Sequence, residues 1–103
     1  MNVIWDERAK NALIQISDYI YDTFGEKSES KFQQEVLHTV QLLQSNPCMA
    51  ALEPLLLKRS KTYRSSIINK LSKMVYYVDD DTIHVAAFWD CRQDPLAQTD
   101  FLE

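Results

Sequence analysis

Glycine is almost absent: Gly25 is the only one in 103 residues, which excludes the glycine-rich loops that cradle nucleotide phosphates. Two cysteines, Cys48 and Cys91, and two histidines, His38 and His84, lack the spacing of metal ligands. No metal site or cofactor is expected. No apolar run approaches the length of a membrane span, and the N-terminal residues become charged at Asp6 instead of leading into an apolar signal segment. A cytoplasmic protein with free thiols and no membrane partner is the expectation. Acidic residues are also missing from one long stretch, since no Asp or Glu lies between Glu53 and Asp79.

The composition is that of an ordinary globular chain, with 46% apolar and 11% aromatic residues. That suffices for one core and one domain spanning residues 1–103. A formal charge of −4 argues against a surface built throughout to coat nucleic acid, so any such contact must come from a local patch. Lys58, Arg59, Lys61, Arg64, Lys70 and Lys73 supply that patch: they are six of the eleven cations, in a stretch that holds none of the fifteen acids.

Asn2 to Trp5 reads as a short first strand, and Asp6 offers a side-chain oxygen to cap a following helix. Ala9, Ala12, Leu13, Ile16 and Ile20 form one apolar stripe, and Gly25 stands where the chain must turn out of the helix. A second stripe, Phe32, Val36, Val40 and Leu43 with Leu37 on its flank, stops before Asn46-Pro47. The short link predicts a helical hairpin. Residues 46–62 read as a connection with a helical turn at Met49 to Leu52. Three strands follow, Tyr63 to Ile68, Leu71 to Val78 and Ile83 to Trp89, turning at Asn69-Lys70 and at Asp79-Asp80-Asp81-Thr82. Consecutive aspartates on a tight hairpin cannot all converge on one cation, so they read as a turn. The order β-α-α-β-β-β predicts an α+β domain, a helical hairpin packed on one face of a mainly antiparallel sheet of three to four strands.

Symmetric turns pair 68 with 71, 66 with 73 and 64 with 75, then 78 with 83, 76 with 85 and 74 with 87. Alternation places Ile67, Met74, Tyr76, Val78, Ile83, Val85, Ala87 and Trp89 under the helices. The opposite, open face then carries Arg64, Ser66, Lys73, Tyr77, His84 and Phe88, with Arg92 joining it if the last strand continues in register.

Tyr63-Arg64, the run Met74-Val75-Tyr76-Tyr77-Val78 with its acidic turn, and Trp89-Asp90-Cys91-Arg92-Gln93-Asp94-Pro95 follow the helical hairpin in a fixed order. This arrangement resembles the RelE/ParE superfamily of toxins from bacterial type II toxin–antitoxin systems. The resemblance implies a small growth-inhibiting toxin of the plasmid-stabilization kind, neutralised by a cognate antitoxin in a hetero-oligomer. RelE-like members cleave mRNA in the ribosomal A site without metal, using several cations and often a C-terminal Tyr. ParE-like members inhibit DNA gyrase.

On the nuclease reading the resemblance assigns Arg64, Lys73 and Arg92 as the catalytic cations, and Tyr77 or His84, expected on the open face, is the candidate acid or base. Ser66, however, occupies a second basic position, Gln98 stands in the approximate place of the tyrosine, and Phe101 has no hydroxyl. These departures favour the ParE-like branch, a gyrase inhibitor acting by binding. Its contact residues toward target or antitoxin would be Lys61, Arg64, Lys70, Lys73, Tyr77, Phe88 and Arg92, with Leu96 extending the apolar margin. The alternatives are a ribosome-dependent mRNA endoribonuclease and a decayed member that binds its antitoxin without harming the cell.

Overall fold

The computed structural model describes residues 1–92, 99 and 102. Asp94, Pro95, Leu96, Gln98 and Phe101, to which the sequence motifs extend, lie outside the described residues. Strand β1 (Asn2–Trp5) leads into α1 (Glu7–Phe24) and α2 (Glu26–Ser45), followed by β2 (Ala51–Leu52), a 3-10 turn (Pro54–Leu56), β3 (Arg64–Ile68), β4 (Ser72–Asp79) and β5 (Thr82–Asp90). Among the described residues the sheet has five strands, in the order β1-β5-β4-β3-β2. All neighbours are antiparallel except β1, which lies parallel to β5. The α+β architecture is the expected one. The fifth strand comes from Ala51–Leu52, where the sequence reading places a helical turn; the 3-10 turn forms instead at Pro54, whose fixed φ suits a first helical position.

The helix ends follow their local chemistry. Asp6 caps α1 by accepting a hydrogen bond from the Arg8 amide at 3.0 Å. Gly25 is both the exit from α1 and the entry to α2, at φ +95°. A Cβ there would meet nothing within 4 Å, so the backbone angle and not space demands glycine. Ala9, Ile20, Phe32, Val36 and Leu43 then face the sheet and pack with Ile68, Met74, Tyr76, Ile83, Val85 and Phe88.

Two departures from the simple register decide which side chains share a face. The first hairpin turn takes three residues, not two, so that Ile68 pairs with Ser72, Ser66 with Met74 and Arg64 with Tyr76. Asn69 and Lys70 adopt positive φ, and the Asn69 side-chain oxygen accepts from the Leu71 amide and the Ser72 hydroxyl, fixing the longer turn. Ile67 therefore points away from the helices and is 67% exposed, while Arg64 and Ser66 move to the helix side.

The second departure is a β-bulge. The pairs 78 with 83 and 76 with 85 form as expected, but Val75 faces Ala87, leaving Ala86 as the extra residue in β5. Beyond the bulge every side chain of β5 changes face. Phe88, expected on the open face, is buried against Trp5 and Phe32, with ring centroids 6.3 Å and 6.0 Å away. Trp89 and Ala87, expected under the helices, join Leu56, Tyr63 and Val75 in a second cluster on the opposite side.

Candidate functional site

The face away from the helices is built around Tyr77. Pairing of Tyr77 with His84 across β4 and β5 sets their rings parallel, 4.7 Å apart at 7°. Tyr63 meets Tyr77 edge-on at 5.6 Å, and Lys61 places its Nζ 5.1 Å from the same ring. Tyr77 and His84 thus lie on the face where alternation put them, both half-buried.

Lys73 shares this face, and it is engaged. Its Nζ lies 2.7 Å from Oε1 of Glu53, a residue with no solvent exposure. The same carboxylate accepts from the Ser65 hydroxyl and the Leu55 amide, each at 2.9 Å. Burial pushes the Glu53 carboxyl up, but the hydrogen bonds from Lys73, Leu55 and Ser65 outweigh it and hold its pKa below the ordinary value. The sequence reading did not single out Glu53. Its signal was there: one acid amid the apolar run Ala50 to Leu57 has to be either a surface interruption or a buried, partnered carboxylate.

Arg64 and Arg92 lie on the other side of the sheet. Arg64 shares a face with Tyr76 and donates through one terminal nitrogen to the carbonyls of Ala50 at 2.7 Å and Cys48 at 3.4 Å. Tyr76 donates its hydroxyl to the Pro47 carbonyl at 2.7 Å, so the pair straps the α2–β2 connection to the sheet. Burial pushes the Tyr76 phenol up, with Arg64 opposing.

Arg92 forks onto Asp90, with Nε 3.0 Å from Oδ1 and a terminal nitrogen 2.7 Å from Oδ2, and its guanidinium stacks 4.1 Å from the Tyr19 ring of α1. Arg92 holds the Asp90 carboxyl below its usual value, and Asp90 in turn raises the guanidinium further. A cavity of about 190 Å³ beside them is lined by Gln15, Ile16, Tyr19, Phe88, Asp90 and Arg92. Lys70 stands exposed at the tip of the β3–β4 turn.

Arg64, Lys73 and Arg92 therefore do not converge. A cleavage in which an RNA 2′-oxygen attacks the adjacent phosphate needs a proton acceptor, a donor to the leaving oxygen and cations gathered on the developing charge. Here one cation is on the same face as Tyr77 and His84, and two are behind the sheet, each already bonded within the chain. What lies on this side instead are cations and apolar residues with exposed surface, Lys58, Arg59, Lys61 and Lys73 with Leu55, Leu57 and Ile67, with Arg59 donating a terminal nitrogen to the Thr99 carbonyl at 3.5 Å.

The family model for the ParE toxin of type II toxin–antitoxin systems matches residues 3–95. A solved structure from the chromosomal ParDE system of P. aeruginosa superposes with a TM-score of 0.69 at 19% identity, covering 87% of this chain and 95% of that one. The YoeB dimer of Staphylococcus aureus gives 0.56 at 22% identity, covering 84% and 92%. YoeB in the heterotetrameric YoeB–YefM toxin–antitoxin complex of the same organism gives 0.54 at 22%, with the same coverage. These structures share the fold of this chain. No curated protein matches it. Among the described residues no helix is long and apolar enough to cross a membrane.

Proposed function

Because the chain belongs to the ParE toxin family of type II toxin–antitoxin systems, we propose that it acts in the cytoplasm by binding DNA gyrase, under the control of a cognate antitoxin. The observation that carries binding over cutting is the separation of the three candidate catalytic cations. Lys73 is held by buried Glu53 on one face, while Arg64 and Arg92 are bonded to backbone carbonyls and to Asp90 on the other.

Support for the antitoxin comes from the neighbours, one from a ParDE system and one a toxin–antitoxin complex. The competing reading is the endoribonuclease that the sequence resemblance implies, with Arg64, Lys73 and Arg92 as its cations and Tyr77 or His84 as acid or base. Induced expression followed by plasmid topology analysis, with purified gyrase in a supercoiling assay alongside, separates them. Inhibited supercoiling is the expected result. Unchanged topology together with fresh 5′ ends inside translated codons overturns this reading in favour of the nuclease.

A further inference from the structure

We propose that residues 53–63 form the part of the chain that enters its target: a preformed cationic loop bearing exposed leucines, suited to a concave acidic site on a folded protein. The proposal rests on the reading that this chain stops growth by binding a protein, and it names where and by what chemistry.

The loop is closed at its base by the Glu53 amide, which donates to the Tyr63 carbonyl at 2.9 Å. Its interior is tied by hydrogen bonds from the Leu56 amide to the Glu53 carbonyl and from the Arg59 amide to the Leu56 carbonyl. Glu53, Leu56 and Tyr63 are at most 4% exposed. They pin the loop to the sheet, with Glu53 bonded to Lys73 and Ser65 below. A compact surface loop with close ends and internal packing has little freedom left to lose on binding.

Its middle projects. Leu55 is 39% and Leu57 64% exposed, and Lys58 and Arg59 beside them are exposed as well. No acid lies in the sequence between Glu53 and Asp79, and Glu53 itself is buried and paired. The loop therefore presents positive charge and aliphatic surface together. Such a surface is matched by carboxylates around an apolar depression.

Nucleic acid fits less well, because the loop offers no exposed ring on which a base could stack: Tyr63 is 4% exposed. An antitoxin segment that folds on binding needs a groove to lie in, whereas Leu55, Leu57, Lys58 and Arg59 are exposed on the outer side of the loop. A cleft of about 180 Å³ beside Leu57, Arg59 and Lys61 can take one side chain from the partner.

The test is a double variant, Leu57→Asp with Arg59→Glu, read in three ways. Growth arrest after induction is expected to fall at least tenfold in surviving-cell count, gyrase inhibition is expected to need at least tenfold more protein, and affinity for the cognate antitoxin is expected to stay within about twofold. Retained antitoxin binding shows that the variant folds. Growth arrest equal to wild type overturns the proposal, as does loss of antitoxin binding with toxicity kept, which would give the loop to the antitoxin. Wild type that arrests growth without inhibiting gyrase defeats the gyrase reading alone, and the growth readout then decides the loop. Binding of a DNA duplex that the variant loses in parallel with toxicity would replace the protein partner with nucleic acid and overturn the proposal.

Discussion

Glu53 and Lys73, one from a loop and one from the middle of β4, form a 2.7 Å ion pair whose carboxylate end is wholly buried. The pair explains why a lysine on the open face is a fastening and how a solvent-facing loop keeps one shape. Lys73 is the costly partner to lose, because Glu53 is then left as an uncompensated charge in a dry place, whereas the partly exposed Lys73 can reach water.

Lys73→Met is accordingly expected to destabilise the fold by about 3 kcal/mol, the range for breaking a buried pair by removing one side. Urea denaturation of purified protein measures it. The same change should raise the Glu53 pKa, since the first of its stabilising hydrogen bonds is gone.

The pair also sets an acid limit. The Glu53 pKa in the folded chain lies below its ordinary value of 4.5, so the unfolded chain binds a proton first as pH falls. Its contribution is complete above that ordinary value and is lost as pH drops through the lower, folded one. Thermal unfolding between pH 7 and pH 3 should show this fall, and Glu53→Gln should flatten it.

Phe88→Ala is expected to cost about 3–5 kcal/mol, as for other buried aromatic truncations, because Phe88 packs between Trp5 and Phe32. Deleting Ala86 is the sharper test of the bulge. Removing the extra residue leaves Val85 opposite Tyr76 and Ala87 opposite Val75 in unbroken alternation, so Phe88 should stay inward and Trp89 outward, and cooperative unfolding monitored by near-ultraviolet circular dichroism should be retained.

Gly25→Ala should cost about 1–3 kcal/mol, the penalty of holding a residue with a Cβ in the extended positive-φ region that is essentially restricted to glycine, since Gly25 sits at φ +95° and ψ −179°. Because a Cβ there touches nothing, the loss should show in the melting temperature with the native spectrum unchanged.

Arg92→Ala should move the Asp90 carboxyl back up toward its ordinary 3.8, because the Arg92 hydrogen bond is the main cause of its lowering. Carbon-detected NMR titration of Asp90 reads the shift. A titration unchanged from wild type would separate Arg92 from Asp90 in solution.

Much of this could be read from the residues themselves. Asp6, the two apolar helix stripes and Gly25 are local signals whose meaning does not depend on the rest of the chain, and all three held. The failures on the sheet have one source. Period-two alternation transmits any error to every later residue, so a third turn residue at Leu71 and one extra residue at Ala86 sufficed to exchange the faces of Arg64, Phe88 and Trp89. Nothing about Ala86 marks it as a bulge, because the bulge reflects how β4 and β5 fit together. Tyr77, His84 and Lys73, between the two shifts, were placed correctly.

The parallel pairing of β1 with β5 also orders the making of the protein. Asn2 lies opposite Thr82 and Trp5 opposite Val85, so residues made before the helical hairpin have no sheet partner until β5 has followed it. The helical hairpin, closed through Gly25, can form early, but its apolar stripe waits for Ile83, Val85 and Phe88 on the same late strand. A chain cut short before β5 lacks the strand that joins β1 to the rest of the sheet and that brings Ile83, Val85 and Phe88 to the core.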